Sequence, residues 1–292
     1  MIIFHHNDAD GRCSAAIAFQ FWAEAFMGET NPDRILLIEM EYSKQVPVER
    51  IEENEQVVIV DFSFKPDVMA EVLKRTTADR IQWIDHHVTA KDYDYGVELP
   101  GLRNFENKAK AACELAWEFY YPQKTMPLGV RLVGDYDKWA LEIPQSKTFV
   151  KGLTLCSQDP ISVTWNRLLA DGSDKFVDEI YQKGITCKEF QEKTAADYTE
   201  KHGYEAIFHG HTVFACGGYL WGSDKYGDRL EQYPILLSHE FMGDHWIVGL
   251  YSKCEHIHVG EIAQQYGGGG HKGAAGFIVR EGALPWKLPK KQ

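Results

Sequence analysis

The chain reads QVVIVD over residues 56–61, a continuous apolar run that ends in a carboxylate. Apolar residues without polar alternation are typical of a parallel strand that is covered on both faces. The next such run, residues 80–84, ends in Asp85, His86 and His87. Three consecutive titratable residues after a buried strand have little role in packing, because such side chains are rarely part of a core. The two runs together predict a parallel α/β sheet with polar residues at its strand ends.

The same succession of strand and polar loop occurs at the N-terminus. Residues 1–4 are typical of a strand, residues 5–11 read HHNDADG, and residues 13–19 are rich in helix formers and small residues. With a further strand expected over residues 34–40, this is the beginning of a βαβ unit. In open α/β sheets, ligands bind outside the carboxyl ends of the strands. We therefore expect the polar clusters to meet at one site.

The second half of the chain has a different character. Residues 130–137 carry a further acidic cluster, and residues 174–202 are mainly helical, with Gly184 as a candidate break. Beyond residue 209, strand formers and glycine dominate, including GGGGHKGAAG at residues 267–276. The sequence predicts an α/β chain in three parts: a parallel-sheet domain with helices on both faces at 1–180, a helical connector at 181–205, and a smaller mixed α/β domain at 206–292.

Bulk composition narrows the class of protein. The 292 residues carry a net charge of -12, whereas proteins that hold long nucleic acids present a basic surface. No apolar run approaches the roughly 20 residues that span a bilayer, and the N-terminus lacks the basic start of a signal peptide. The six cysteines form no CxxC pair, as expected of reduced thiols. We therefore expect a cytoplasmic protein with a small anionic substrate, without membrane or long-duplex partners.

The polar residues at the strand ends are of types that bind divalent metals. Asp8 and Asp10 flank one residue, so their carboxylates can each take a different ion. Asp61 and Asp135 add carboxylates and His86 adds an imidazole, a set that suits manganese, iron or zinc. Two such ions roughly 3.5–4 Å apart bind a phosphoryl group and lower the pKa of water. The pattern predicts a two-metal site for hydrolysis of phosphate esters or anhydrides.

The order of the motifs is more specific than any one of them. A lone DxD is common in turns and helix caps, and a glycine run is common in flexible linkers. The succession DxD, VVIVD, DHH and GD, followed by GGGGHKGAAG, resembles the DHH phosphoesterase superfamily with its C-terminal DHHA1-type domain. That superfamily includes RecJ-like nucleases, nanoRNases, dinucleotide phosphodiesterases, phosphoadenosine phosphatases, family II pyrophosphatases and exopolyphosphatases. The resemblance implies a DHH catalytic domain, a helical connector and a DHHA1-like substrate-binding domain.

The resemblance also implies roles for individual residues. It implies two manganese ions, the first bound by His6, Asp8 and Asp61 and the second by Asp10, Asp61, His86 and Asp135. His87 would face the substrate phosphate as a donor or general acid, and Asp85 would orient a histidine. The implied catalytic residues are therefore Asp61, Asp85 and His87. The implied substrate-binding residues are Gly268, Gly269, Gly270, His271 and Lys272.

Two positions depart from the pattern of the superfamily. Its first-loop histidine usually lies four residues before the first Asp of DxD, where this chain has Phe4. His6 lies two residues before Asp8 and keeps the same side of a strand, so His6 is the candidate ligand and His5 the alternative. The usual Arg-Ser pair upstream of the glycine run is replaced, and Lys253 is the candidate substitute for the arginine.

Three functions stay open on the sequence alone. The first is hydrolysis of phosphodiester or phosphomonoester bonds in short oligonucleotides, dinucleotides or small nucleotides. The second is a pyrophosphatase or exopolyphosphatase activity, which needs many cations, and the candidates are Arg12, Arg103, Lys138 and Lys272. The third is a non-catalytic nucleotide-binding protein, which we rank last because every expected metal ligand is present. We rank the first function highest, and the sequence leaves the metal's identity and a homodimer open.

Overall fold

A computed structural model describes residues 1–25, 35–42, 44–106, 110–218 and 222–289 of the chain. The chain divides into two compact units, Met1–Cys187 and Lys188–Gln292. The boundary lies inside the helix Asp174–His202, which includes most of the predicted connector. Within the described ranges, no helix is both long enough and apolar enough to cross a bilayer.

The first unit contains a parallel sheet. Its strands are Ile2–His6 (β1), Leu36–Met40 (β2), Val57–Val60 (β3) and Ile81–Ile84 (β4), in the order β2-β1-β3-β4. These strands overlap the runs predicted from the sequence, although Arg34, the expected start of β2, lies outside the described residues. Phe4 pairs with Ile59, which in turn pairs with Trp83 on β4. Because the strands are parallel, their carboxyl ends meet at one edge of the sheet.

Helices cover both faces of this sheet. They are Ala9–Ala25 (α1), Pro66–Val72 (α2), Ala112–Tyr120 (α3), Leu128–Asp137 (α4), Ser146–Leu153 (α5), Val163–Leu169 (α6) and Asp174–His202 (α7), which continues past the boundary of the unit. Ile3 and Val58 pack with α1, α3 and α4 on one face, whereas Phe4 and Ile59 pack with α2 on the other. The predicted α/β class is confirmed, and burial on both faces explains why the strands are apolar throughout.

The long helix α7 is continuous through Gly184, so the candidate break predicted there is wrong. A Cβ atom on Gly184 would lie 1.9 Å from the carbonyl oxygen of Thr148 in α5. Gly152 of α5 is equally close to the carbonyl oxygen of Ile180, at 2.0 Å from a Cβ. The two glycines therefore permit the backbones of α5 and α7 to pack in direct contact.

Within the described residues, the second unit contains a six-stranded mixed sheet. Its strands are Gly203–Phe208 (β5), His211–Gly217 (β6), Leu236–Phe241 (β7), Trp246–Tyr251 (β8), Gly269–Gly270 (β9) and Ala274–Val279 (β10), in the order β5-β6-β7-β8-β10-β9. β6 and β7 are parallel, and the other neighbours are antiparallel. The helix Arg229–Gln232 (α8) precedes β7, and Val259–Gln264 (α9) packs on Leu237, Val248 and Phe277.

The turn between β1 and α1 depends on Gly11. A Cβ atom on this residue would lie 2.4 Å from the carbonyl oxygen of His6. The N–H of Gly11 also donates to Oδ1 of Asp8, at 2.9 Å. Glycine therefore allows α1 to begin directly behind the end of β1, and the tight turn keeps the predicted ligands at the carboxyl edge of the sheet.

Replacing Gly11 by alanine should destabilise the first unit. The added methyl group would overlap the carbonyl of His6, and overpacking of this kind costs about 1–3 kcal/mol. We expect Gly11→Ala to lower the free energy of unfolding in urea by this amount. Gly129→Ala is the matched control, because its methyl group would meet the flexible side chain of Leu168, at 3.1 Å. Equal stability of the two variants would contradict the close approach at Gly11.

Candidate metal centre

Polar side chains of the first unit converge at the carboxyl edge of its sheet. They come from the β1–α1 turn, from the end of β3, from the segment after β4 and from the end of α4. Their ligand-type atoms form three groups, each within 4.8 Å: His6, Asp8 and Asp61; Asp10, His86 and Asp137; and Asp61, His86 and His87. Asp61 and His86 each belong to two groups, so the three groups form one continuous site.

The β1–α1 turn supplies His6 and Asp8. Nδ1 of His6 lies 2.7 Å from Oδ2 of Asp8, whose other oxygen accepts the N–H of Gly11. Burial opposes the charged carboxylate, but these hydrogen bonds lower the pKa of Asp8 below its ordinary value. His5, the alternative ligand, is buried, and its Nδ1 lies 2.8 Å from the carbonyl oxygen of His6. The structure thus brings His6, and not His5, to the other ligands.

Asp61 is the central residue of the cluster. It is 1% exposed, and neither carboxylate oxygen accepts a hydrogen bond from the described residues. The nearest histidine nitrogens lie at 3.3 Å in His86, 3.6 Å in His87 and 3.7 Å in His6. Burial, followed by the charge of Asp10, raises the pKa of Asp61 well above its ordinary value. A buried carboxylate without donors is costly unless a proton or a cation neutralises it, so this position suits a metal ion.

The backbone at Asp61 is also strained. Its φ is 53°, in the left-handed region that residues other than glycine seldom adopt. Its N–H donates to the carbonyl of Ile84 at 2.9 Å, which continues the pairing of β3 with β4 by one residue. Strained residues persist where their surroundings hold them, and they are concentrated at functional sites.

Asp85 holds His87 in place. Asp85 is fully buried, and its Oδ1 lies 2.8 Å from both Nδ1 of His87 and the backbone nitrogen of His86. Its Oδ2 accepts the hydroxyl of Ser63, which in turn accepts the indole N–H of Trp83 at 2.9 Å. This network orients the His87 ring with Nδ1–H toward Asp85 and leaves Nε2 for a substrate. Burial opposes the charged imidazole, but the bond to Asp85 raises the pKa of His87 above its ordinary value.

His86 faces the remaining carboxylates. Its Nε2 lies 3.3 Å from Oδ2 of Asp137 and 3.6 Å from Oδ2 of Asp10. Asp10 is buried, and its two oxygens accept the N–H groups of Ala112 and Cys113, both at 2.8 Å, at the start of α3. Because a helix N-terminus carries partial positive charge, α3 stabilises the carboxylate of Asp10 beside His86.

The cluster concentrates negative charge in a small volume. Burial, followed by the charges of Asp10 and Asp8, raises the pKa of Asp137 to about 9. Together with Asp61, four carboxylates therefore repel one another in the absence of a counter-ion. Divalent cations reverse this balance, and mixed carboxylate and imidazole donors suit manganese, iron or zinc. The residues present thus fit the divalent ions that the sequence predicted.

The structure does not bring Asp135, one of the predicted ligands, to the cluster. Asp135 does not face the cluster, because its oxygens accept the N–H groups of Glu142 at 2.9 Å and Ile143 at 3.1 Å and the hydroxyl of Ser146. The acidic segment is the end of helix α4 and not a strand end. Residues two apart on a helix point to nearly opposite sides, so Asp137, and not Asp135, faces the other ligand-type side chains.

A helical pattern in the sequence could have identified Asp137. Val130, Val133 and Gly134 occupy positions i, i+3 and i+4, and Asp137 completes the pattern at i+7. Positions with this spacing share one face of a helix, and the three apolar members are buried. The prediction of Asp135 instead grouped the segment with the strand ends, where the side chains follow a different period.

The predicted glycine motif lies in the second unit, where packing accounts for much of its sequence. Gly269–Gly270 form the edge strand β9, and a Cβ on Gly268 would lie 2.1 Å from the carbonyl oxygen of Gly276. The backbone of His271 bonds within the turn before β10, and that of Lys272 bonds to the start of α9. The run is therefore a tightly packed turn and not a flexible linker, and its contact with a substrate stays a prediction.

A surface cavity of about 600 Å³ lies beside this turn. Its lining includes Tyr266, Gly267, Gly268, Gly276 and Arg280. Lys253, the predicted substitute for an arginine, instead pairs with Glu231 at 2.7 Å. Arg280 supplies a guanidinium, which can bind phosphate through two donors. Arg280 follows the glycine run, whereas the pattern of the superfamily places its arginine before the run.

Comparisons with known sequences identify the first unit. Residues 1–134 match the model of the DHH family, N-terminal domain, a segment that contains every member of the cluster except Asp137. A curated relative, the uncharacterized protein R106 of Acanthamoeba polyphaga mimivirus, is 24% identical over 305 residues. That alignment covers 98% of this chain and 69% of the relative.

Solved structures align with nearly the whole chain. The DHH domain of PF0399, described as a member of the s1p family of ribosomal proteins, aligns with a TM-score of 0.60 at 15% identity, over 95% of this chain and 82% of that one. The pGpG-specific phosphodiesterase PggH from Vibrio cholerae aligns with a TM-score of 0.48 at 12% identity, over 96% and 92% of the two chains. At 15% identity, the likeness to PF0399 shows a common fold.

Substitution of the two aspartates of α4 should separate metal binding from stability. Loss of a residue that only orients a metal ligand typically lowers metal affinity about 10- to 100-fold. If Asp137 binds the metal directly, Asp137→Asn should lower the affinity for Mn²⁺ by more than this, as measured by calorimetric titration. Asp135→Asn should bind Mn²⁺ like the wild type but lose about 1–3 kcal/mol of stability, since buried donors lose their acceptor. The reverse pattern would restore Asp135 to the ligand set.

The metal-free protein should lose stability as the pH rises from about 4 to about 9. The pKa of Asp137 is about 9 in the folded chain and 3.8 ordinarily, so the folded state keeps a proton that the unfolded chain releases. Its contribution is complete below about pH 4 and lost as the pH passes 9. Thermal unfolding of chelator-treated protein at pH 5 and pH 9 measures this, and Asp137→Asn should reduce the difference. A higher melting temperature at pH 9 without metal would contradict the prediction.

Proposed function

We propose that this chain, whose residues 1–134 match the N-terminal domain of the DHH family, is a DHH phosphoesterase that hydrolyses phosphodiester or phosphomonoester bonds in short oligonucleotides, dinucleotides or small nucleotides. The observation that carries the proposal is Asp61, whose buried carboxylate lacks hydrogen-bond donors among the described residues and is shared by two ligand groups. Carboxylates that bridge two divalent ions are characteristic of enzymes that cleave phosphate esters.

Two divalent ions, which we propose to be Mn²⁺, suit the donors of the cluster. One would be held by His6, Asp8 and Asp61, and the other by Asp10, Asp61, His86 and Asp137. When bound, such ions act as Lewis acids on phosphoryl oxygens and lower the pKa of water. The protein's contribution is to hold these donors in a fixed arrangement through the backbone contacts of Asp8 and Asp10.

His87 is the proposed proton donor. Asp85 engages its Nδ1, so Nε2 is the nitrogen that can donate to a phosphate oxygen or to the leaving group. The raised pKa of His87 increases the protonated fraction of the ring at a given pH, which suits a general acid. As the bond between phosphorus and the leaving oxygen breaks, the proton on Nε2 would pass to that oxygen, and Asp85 would stabilise the orientation of the ring throughout.

The charges around the cluster favour nucleotides over inorganic polyphosphates. A polyphosphate needs several cations that are free to neutralise it. Arg12 instead pairs with Glu39 at 2.8 Å, and Lys138 pairs with Glu114 at 2.8 Å. Arg103 donates to two backbone carbonyls at 3.1 Å each. Three of the cations that the sequence offered for a phosphoanhydride hydrolase are therefore engaged by the protein itself.

A substrate panel tests the proposal. Metal-free protein would be reloaded with Mn²⁺ and given pApA, 5-mer and 20-mer RNA, 3′,5′-phosphoadenosine, cyclic dinucleotides and tripolyphosphate, with products separated by chromatography. We expect turnover of the dinucleotide and the 5-mer, a decline at the 20-mer, and none without metal. If tripolyphosphate were the only substrate cleaved, a pyrophosphatase or exopolyphosphatase activity would be favoured. Nucleotide binding without any turnover would favour a non-catalytic role.

Asp61→Asn should abolish turnover in the same panel. The amide keeps the shape of the side chain but removes the shared negative charge, and loss of more than about 4 kcal/mol of transition-state stabilisation corresponds to about 1,000-fold in kcat. Without metal, the variant should be at least as stable as the wild type, because a buried charge has been removed. Asp171→Asn, at an exposed position, is the matched control. Near-normal kcat in Asp61→Asn would refute the shared ligand.

A further inference from the structure

An aromatic ring from the end of β2 lies directly beside the metal cluster. Tyr42 follows Met40, the last residue of β2, by two positions. Its ring is stacked on that of Phe62, with centroids 4.6 Å apart and planes inclined by 25°. Phe62 is the residue after Asp61 and is only 3% exposed. The stack is therefore anchored in the core of the first unit, next to the central carboxylate.

The same ring lies close to two histidines of the cluster. The centroid of Tyr42 lies 5.5 Å from that of His6 and 5.6 Å from that of His87. These distances place the tyrosine beside both a predicted metal ligand and the proposed proton donor. A phosphate within hydrogen-bonding reach of His87 would therefore have the ring of Tyr42 as a neighbour.

Tyr42 nevertheless presents much of its ring to solvent. The side chain is 53% exposed, although Phe62 is stacked on one face of the ring. With one face covered, this exposure requires that much of the opposite face is open. An open aromatic face at the carboxyl edge of a parallel sheet is well placed to receive a flat ligand group, because ligands of such sheets bind at that edge.

We infer that Tyr42 is a stacking platform for the base of the nucleotide next to the scissile phosphate. This inference rests on the proposed function and narrows its substrate class, because it requires a nucleobase within about one nucleotide of the bond that is cleaved. Stacking suits this acidic site because it needs no cation and depends little on the identity of the base. A polyphosphate chain has no flat group to occupy the ring, so Tyr42 would select nucleotides over bare phosphates.

The test compares two substitutions on two matched substrates. Tyr42→Leu removes the aromatic face, Tyr42→Phe retains it, and Phe190→Leu removes an exposed aromatic ring from α7 as a control. The substrates are pApA and the same dinucleotide backbone without its bases, assayed with Mn²⁺-loaded protein. Loss of one stacked base typically costs about 1–3 kcal/mol, which corresponds to about 5- to 150-fold in KM.

We expect Tyr42→Leu to raise KM for pApA within this range, with kcat changed by less than about threefold. On the abasic substrate, Tyr42→Leu should match the wild type, and on both substrates Tyr42→Phe should stay close to it. An equal loss of kcat on both substrates would show that Tyr42 only orients His6 and His87, and it would overturn the inference.

Failure of the proposed function can be distinguished from failure of this inference. If the wild type cleaves neither substrate, calorimetric titration of Mn²⁺-loaded protein with AMP replaces the kinetic assay. Weaker binding of AMP to Tyr42→Leu than to the wild type and to Phe190→Leu would support the stacking platform, even though the proposed hydrolysis had been contradicted. Equal affinity of the three proteins for AMP would overturn it.

Discussion

A carboxylate buried without hydrogen-bond donors is the constraint on which the candidate site depends. Strand β3 is covered on both faces, so the residue that follows it enters the edge of the core. In this chain that residue is Asp61, held with a left-handed backbone between two histidine-bearing segments. None of the described residues donates a hydrogen bond to its oxygens. The negative charge of this carboxylate is costly there unless a proton or a cation neutralises it.

The other polar residues of the site are positioned by backbone groups. Asp8 is held by the N–H of Gly11, Asp10 by the first turn of α3, and Asp85 by the backbone that follows it. Secondary structure therefore fixes these carboxylates before any metal or substrate binds, which reduces the reorganisation that binding and reaction would require. His87 is also held in place, although indirectly, because its ring forms a hydrogen bond with Asp85. The exposed face of Tyr42 is the part of the site that a substrate would cover.

Sequence reasoning succeeded where one structural period governed the pattern. Continuous apolar runs located the strands, and polar residues directly after β1, β3 and β4 correctly pointed to a common edge. It failed at α4, because Asp135 and Asp137 are both acidic and only the helical period separates their directions. Arg280 and Tyr42 could not be found from spacing, since their relation to the glycine turn and to His6 arises from sheet pairing and side-chain packing. Which of the glycines touch a substrate also depends on contacts that no pattern records.

The dual attachment of Asp10 bears on how this protein could change in evolution. The residue contacts His86 and also closes the start of α3 through two N–H groups. Selection for folding would therefore retain an aspartate at this position even in a lineage that had lost its chemistry. The Asp61 side chain forms no hydrogen bond with the described residues that would stabilise the fold, and its burial would lower the stability of the protein once metals were no longer bound. Among homologues, position 61 would then diverge first, and it is the more informative place to distinguish a working enzyme from an inert descendant.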